Sequence, residues 1–255
     1  MICEIKDGSI VSGLFAGWEE TIIWSCLQGI MGKLYGNHPR FPTAAMALLG
    51  DFAFLAGTPD PELAAYKPGW CTQRFIILVP RNQEWKDCIL RHYGERANVV
   101  SRYAIKKEPD IFEKEKLQKA VSLLPSEYEL RLMDEPLYNM CRTNSWSAEQ
   151  VANFPDYETY RRLGLGAVIL KEGELVSGAS SYSRYLEGIE IQIDTREDFR
   201  RRGLACIVGA RLILECLSRG LYPSWDAQNL QSVALAEKLG YHYSHTYSAI
   251  EIHNY

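Results

Sequence analysis

The sharpest alternation in the chain lies at residues 189–193, where Ile189, Ile191 and Ile193 interleave with Glu190, Gln192 and Asp194. That period of two is the pattern of a strand with one apolar face. A turn follows, and then a stretch from Arg202 to Arg219 that is apolar almost all round. Only Arg211, Glu215 and Arg219 form a polar stripe, and Gly220 closes the run, so the pattern predicts a core helix with a Glu215–Arg219 pair at four-residue spacing. Tyr222 to Ala227 reads as a strand, Asn229 to Leu239 as a helix with Gly240 just past its end, and Tyr241 to Ile252 as a closing strand.

Upstream of the alternation, Gly166 to Lys171 and Glu174 to Tyr185 are separated by Glu172 and Gly173, the spacing of a hairpin turn. Tyr128 to Met133 reads as a short strand, and Glu135 to Arg142 and Ser147 to Leu163 as helices, with Ser147 and Gln150 in a capping-box arrangement. In the first half the spacing predicts a helix over Trp18 to Tyr35, ended by Gly36, Asn37 and Pro39. Ala44 to Gly57 and Arg74 to Val79 read as strands, Asn82 to Tyr93 as an amphipathic helix, and Val99 to Ile105 as a strand. A polar helix follows over Asp110 to Leu124, capped by Asp110. The expected organisation is therefore α/β in two domains: residues 1–124, of unassigned role, and residues 125–255, joined around the charged segment from Lys106 to Lys119.

Composition narrows the classes. A net charge of -4 supplies no field to hold a polyanion, which argues against nucleic acid as a partner. The seven cysteines include an odd one and form no C-x-x-C pair, which suits reduced thiols and a cytoplasmic location better than a disulfide framework. His242 and His245 have no ligand-spaced cysteine or carboxylate nearby, so no metal site is expected. No stretch reaches the ~20 apolar residues of a spanning helix, and no membrane role is expected.

The candidate chemistry sits where the alternating strand stops. Arg200-x-x-Gly203-x-Ala205 leads into the Arg202 to Arg219 helix, whose first N–H groups are unpaired and carry partial positive charge. A diphosphate there would accept several hydrogen bonds, Gly203 and Ala205 would let it approach, and Arg200, Arg201 and Arg202 would add charge. Taken alone, the same residues also describe a solvated arginine patch with an ordinary loop glycine. Their context resembles the GNAT N-acyltransferase superfamily, whose pyrophosphate loop Q/R-x-x-G-x-G/A is matched by Arg200, Gly203 and Ala205. Downstream, Trp225-Asp-Ala-x-Asn229 followed by Lys238-Leu239-Gly240-Tyr241 is similar to the family's second signature.

The resemblance covers about half the chain and implies a mixed, mostly antiparallel GNAT-type sheet flanked by helices, preceded by a smaller α/β half. It also implies an acetyl-CoA-dependent N-acetyltransferase acting on a small amine, with Arg200, Arg201, Arg202, Gly203, Leu204 and Ala205 at the cofactor's phosphates. Backbone groups of Ile193, Asp194 and Thr195 would lie along the pantetheine arm. Asn229 is an N-cap by its position, to which the resemblance adds a contact with the pantetheine or phosphate arm. Glu190 is the candidate base, with a solvent-facing or arginine-paired role as the alternative. The family's helix tyrosine, the usual acid, aligns with Ala236, which leaves Tyr243, Tyr247 or water for that step. A non-catalytic acyl-CoA sensor and a structural protein with a vestigial loop are the rival readings, and a homodimer is compatible with each.

Overall fold

The computed structural model describes residues 1–255. The first half contains β1 (Cys3–Ile5), α1 (Thr21–Leu27), β2 (Lys33–Gly36), β3 (Ala44–Leu49), β4 (Phe52–Gly57), α2 (Pro61–Ala64), β5 (Phe75–Pro80), α3 (Gln83–Tyr93) and β6 (Ala97–Ile105). Then come α4 (Lys114–Ser122), β7 (Tyr128–Leu132), α5 (Glu135–Thr143), α6 (Tyr157–Leu163), β8 (Gly166–Lys171), β9 (Glu174–Tyr185) and β10 (Gly188–Thr195). The chain ends with α7 (Leu204–Ser218), β11 (Tyr222–Ser224), β12 (Asp226–Ala227), α8 (Leu230–Lys238) and β13 (Tyr243–His253).

These elements form two compact units. One comprises Met1–Arg102 with Thr246–Tyr255, the other Tyr103–His245. The chain passes from unit to unit inside β6 and again inside β13, so residue 124, the expected boundary, falls within the second unit.

In the first unit β1, β2, β3 and β4 pair antiparallel in succession, and β4 then pairs parallel with β5. β13 adds antiparallel to β5 at its far edge, followed by β6. Its core gathers Met46, Leu48, Leu55, Ile76, Leu78, Trp85, Ile89, Ile250 and Ile252. In the second unit β7, β8, β9 and β10 pair antiparallel in succession, and β10 pairs parallel with β11. β12 pairs with the end of β6, at Ala104 and Tyr103. Its core joins Ile189, Ile191, Ile207, Val208, Leu212, Ile213, Trp225 and Tyr241.

In chain order one plan thus occurs twice: four antiparallel strands, a fifth joined in parallel, then a helix (α3 or α8) and a last strand (β6 or β13), although most of β13 belongs to the first unit, where it pairs with β5. The sequence reading recognised this plan only in the second half. The first half hides it because its connection between the parallel strands contains a helix of four residues, α2, where the second has the 15 residues of α7.

Four expected elements differ in the structure, each for a local reason. The helix over Trp18 to Tyr35 reduces to α1 followed by β2, because Gly29 and Gly32 adopt positive φ (66° and 77°). At Gly32 a Cβ would meet Cys26 Sγ at 2.6 Å and Leu48 O at 2.7 Å, so the turn is packed into place. The run Ala44 to Gly57 is a hairpin, β3 and β4, turning at Gly50 (φ 59°). Asp110 does not cap α4, which starts at Lys114; it sits in a turn with φ 57°. Ser147 to Leu163 is not one helix but a 3-10 turn, Ala148–Val151, and then α6. Pro155 interrupts the backbone donors, and Asp156 caps α6 by accepting from Thr159 N at 2.7 Å.

The expected strand Tyr222 to Ala227 is also divided, into β11 paired with β10 and β12 paired with β6. The other expected boundaries agree to within about two residues, the usual uncertainty of helix and strand ends. The β8–β9 hairpin turns at Glu172 and Gly173 with φ 52° and 82°, the two positive values a type I′ turn requires.

Candidate active site

The site is built on β10. This strand pairs with β11 only over Gly188, Ile189 and Glu190, opposite Tyr222, Pro223 and Ser224, and then runs on for five residues to Thr195. On its other edge the ladder with β9 continues to the end, Thr195 facing Ser177. The β10 edge that faced β11 is therefore open beyond Glu190. Which backbone groups use that edge follows from two hydrogen bonds. Tyr222 N donates to Glu187 O at 2.8 Å, and Arg196 N donates to Val176 O at 2.9 Å. Antiparallel bonding alternates by residue, so the odd residues turn N–H and C=O toward the β11 side and the even ones toward β9. Ile193 thus presents its backbone groups at the opening and Thr195 its N–H, the Thr195 carbonyl being taken by Arg200 Nε. Asp194 directs its own backbone to β9, where its carbonyl accepts from Ser177 Oγ at 3.2 Å, and contributes its side chain instead.

The segment after β10 supplies a cluster of free amides. Arg200 Nε returns to Thr195 O at 3.2 Å, and Arg202 donates to Asp198 O at 2.9 Å while its guanidinium lies 4.6 Å from the Phe199 ring centroid. Arg201 and Gly203 both take positive φ, 61° and 81°. α7 has no side-chain N-cap, and the first amides it satisfies are those of Cys206 and Ile207, both on Gly203 O. Hence the N–H groups from Arg201 through Ala205 are available at the positive end of a 15-residue helix. A Cβ built on Gly203 would meet nothing within 4 Å, so the chain itself leaves the space over that turn open. Free amides, arginines and open space together fit a diphosphate.

Glu190 is 8% exposed. Cross-strand neighbours share a face, which puts Glu190 with Ser183 of β9 and Ser224 of β11. Tyr185 shares a hydrogen bond of 2.9 Å with Ser224 Oγ. Asp194 lies farther along the same face, and its carboxyl is held above the ordinary range by burial, against the pull of Arg200, with Glu149 adding repulsion. The opposite face carries Ile189, Ile191 and Ile193 into the core. Asn229 caps α8, accepting from Ser232 N at 2.9 Å, as its position predicts. Ala236 is fully buried in α8 and offers no acid. Among the tyrosines near this position, Tyr241 commits its hydroxyl to Pro223 O at 2.6 Å, whereas Tyr243 is 39% exposed and Tyr247 belongs to the other unit.

Two buried polar groups on the Glu190 face escaped the sequence reading. Gln150, assigned to a capping box, instead turns inward onto Gly178, where even a methyl would overlap its Oε1. Ser183 is hidden in the serine-rich stretch Ser177 to Ser183, whose spacing does not separate structural hydroxyls from available ones. The register shift between Glu190 and Ile191, where Tyr182 is the extra residue of β9, was equally silent.

Comparison with known proteins identifies the family and the fold. A GCN5-related N-acetyltransferase-like protein from Streptococcus suis 89/1591 is 48% identical and superposes with a TM-score of 0.91, covering 96% of this chain and 98% of its own. An uncharacterized N-acetyltransferase of Bacillus subtilis (strain 168), YdfB, is 28% identical over 232 residues, covering 87% of this chain and 86% of the relative. A tandem GNAT protein from the clavulanic acid biosynthesis pathway, at 9% identity and a TM-score of 0.50, shares the fold over 88% of this chain and 83% of its own. The GNAT acetyltransferase family matches residues 12–250, so it spans both units rather than the second half alone, and the chain belongs to that family.

Proposed function

We propose that the protein transfers an acetyl group from acetyl-CoA to the amine of a small molecule by direct attack on the thioester. One observation carries this reading: β10 parts from β11 after Glu190 and leads into free amides at Arg201 to Ala205. Ile193 and Thr195 offer the open strand edge that an amide-bearing arm would extend as a further strand. Arg200, Arg201, Arg202, Gly203, Leu204 and Ala205 hold the diphosphate, and Asn229 stands at the neighbouring helix start. A backbone N–H directed at the thioester oxygen stabilises the charge that develops there. Glu190 accepts the proton lost by the amine as its nitrogen bonds to the carbonyl carbon and the carbon–sulfur bond breaks. Water or Tyr243 returns a proton to the thiolate. The seven free thiols suit a reducing cytoplasm, and no helix is long and apolar enough to cross a membrane.

A second reading, a sensor that binds acyl-CoA without turnover, is favoured by the buried alanine at position 236, where the family's acid would stand. Calorimetric titration with acetyl-CoA, followed by thiol release over a panel of small amines, separates the two. Binding with amine-dependent release supports the transferase. Binding without release from any amine supports the sensor, and no binding overturns both.

A further inference from the structure

The side-chain polar atoms of Gln150 and Ser183 make no hydrogen bond within the chain. Gln150 is completely buried, yet neither its Oε1 nor its Nε2 has a hydrogen-bond partner, and the same holds for Ser183 Oγ. Burying such groups unpaired forfeits the hydrogen bonds they make with water in the unfolded chain, a loss that a leucine at 150 would not incur. The other buried serines of β9 are satisfied: Ser180 Oγ lies 2.9 Å from the Tyr160 hydroxyl, Ser181 Oγ accepts from Leu165 N at 2.9 Å, and Ser177 Oγ donates to Asp194 O at 3.2 Å. The unpaired atoms are therefore selective, and both lie on the face of Glu190. Ser183 is directly opposite Glu190, and Gln150 covers Gly178, which is opposite Asp194. They bracket the part of β10 where an acceptor would meet the open strand edge. The turn bearing Gln150 is fastened to the strands by Gln192 Nε2 donating to Glu149 O at 2.7 Å and Asn153 Nδ2 donating to Tyr182 O at 3.0 Å.

We propose that Gln150 and Ser183 select the acceptor, and that the acceptor carries, besides its amine, an uncharged group that both donates and accepts hydrogen bonds, a hydroxyl or an amide. The inference rests on the reading of the Glu190 face as the acceptor side. Gln150 offers one donor group and one acceptor, and Ser183 offers both from one oxygen, which matches such groups. Glu190 and Asp194 place two carboxyl groups on this face of β10, which disfavours a carboxylate there and favours an ammonium.

The test uses three-carbon probes that differ only in the second group: propylamine, 3-amino-1-propanol, β-alaninamide and β-alanine. Each is titrated by NMR into the full chain saturated with CoA, so that the readout does not depend on turnover. The alcohol and the amide should bind at least tenfold more tightly than propylamine, about 1.4 kcal/mol, with β-alanine weakest. Gln150→Leu should abolish that preference while leaving CoA affinity unchanged and the thermal midpoint no lower. Ser183→Ala, which removes only an unpaired hydroxyl, should reduce the preference and decides the matter if Gln150→Leu does not fold. Equal binding of propylamine, no binding of any probe, or folded variants that keep the preference would each overturn the proposal. Thiol release from acetyl-CoA is measured alongside: discrimination without release refutes transfer but leaves the selection standing, and release without discrimination does the reverse.

Discussion

Replacing Gly203 by alanine perturbs the diphosphate loop in a way whose two consequences are separable. Its φ of 81° lies in the left-handed region, where a side chain costs about 1–2 kcal/mol. No atom within 4 Å obstructs the added carbon, so strain is the whole of the intrachain penalty. Gly220, at the other end of α7, is a matched control: its φ is 67° and its Cβ would also meet nothing within 4 Å. The two positions are separated by a 15-residue helix, about 22 Å. Urea denaturation should therefore show both variants destabilised by about 1–2 kcal/mol. Only Gly203→Ala places a methyl over the free amides. Hydrogen bonds to a charged group contribute about 1.5–3 kcal/mol each, so displacing a diphosphate from two amides removes about 3 kcal/mol or more. Calorimetric titration should then give a CoA Kd weakened on the order of 100-fold for Gly203→Ala and unchanged for Gly220→Ala. Equal CoA affinities in the two folded variants would refute the cradle, because strain alone would then account for everything the methyl does.

Three other outcomes follow from the same geometry. Glu190→Gln should lower kcat by about 10²–10⁴ and flatten the acidic limb of its pH profile, with CoA affinity intact; an unaltered profile removes Glu190 as the base. Titration of the full chain should saturate at a single CoA, since β4 remains paired with β5 through Leu55, two residues before its end, and is followed by the four-residue α2; a second equivalent would show that the first unit binds too. Asp194 is held above its ordinary pKa of 3.8 by burial, so the folded state retains its proton longer than the unfolded state, and stability contributed by the neutral form falls as pH rises above that value. Asp194→Asn should therefore gain stability relative to the parent as pH increases from about 4 toward neutrality, seen in thermal midpoints; a constant difference across that range would contradict the assignment.

What the sequence disclosed depended on whether a residue's local pattern determined its environment. β10 and α7 were legible because a strict alternation and an apolar run leave one solution each, whereas Gly203, alone an ordinary loop glycine, was singled out only by the resemblance of Arg200-x-x-Gly203-x-Ala205 to a known loop. Asn229 was legible as a cap because Asn229 and Ser232 stand at cap spacing before a helical run, and the structure gives that bond. Ser147 and Gln150 stand at the same spacing, yet Ser147 adopts a helical backbone conformation and donates its hydroxyl to Cys141 O at 3.1 Å, while Gln150 goes inward. The difference lies in Pro155 and Asp156, which start α6 ten residues after Ser147 and leave the earlier pair in a 3-10 turn. Local spacing proposes a cap, and competition with a better cap downstream decides it. Nor could alternation alone assign the backbone of Ile193 and Thr195 to the opening, because that depends on where β11 ends.

The repeated topology shows why fold and site must be argued separately. Both units place a parallel strand beside the fourth antiparallel one, so both have a junction where an arm could insert between them. In the first unit β4 and β5 stay paired over Phe52 to Leu55, and Arg81 N continues to Leu55 O at 3.0 Å. An arm there would have to displace hydrogen bonds already made, and the short α2, capped by Asp60 through Glu62 N and Leu63 N, has its first amides occupied by a carboxylate of the chain itself. In the second unit β11 leaves β10 after three residues and α7 starts without a side-chain cap. The same architecture is thus self-satisfied in one unit and open in the other. Backbone groups that the chain does not use for itself, rather than the order of strands, are thus what distinguishes the second unit, and it is on them that the proposed CoA site rests.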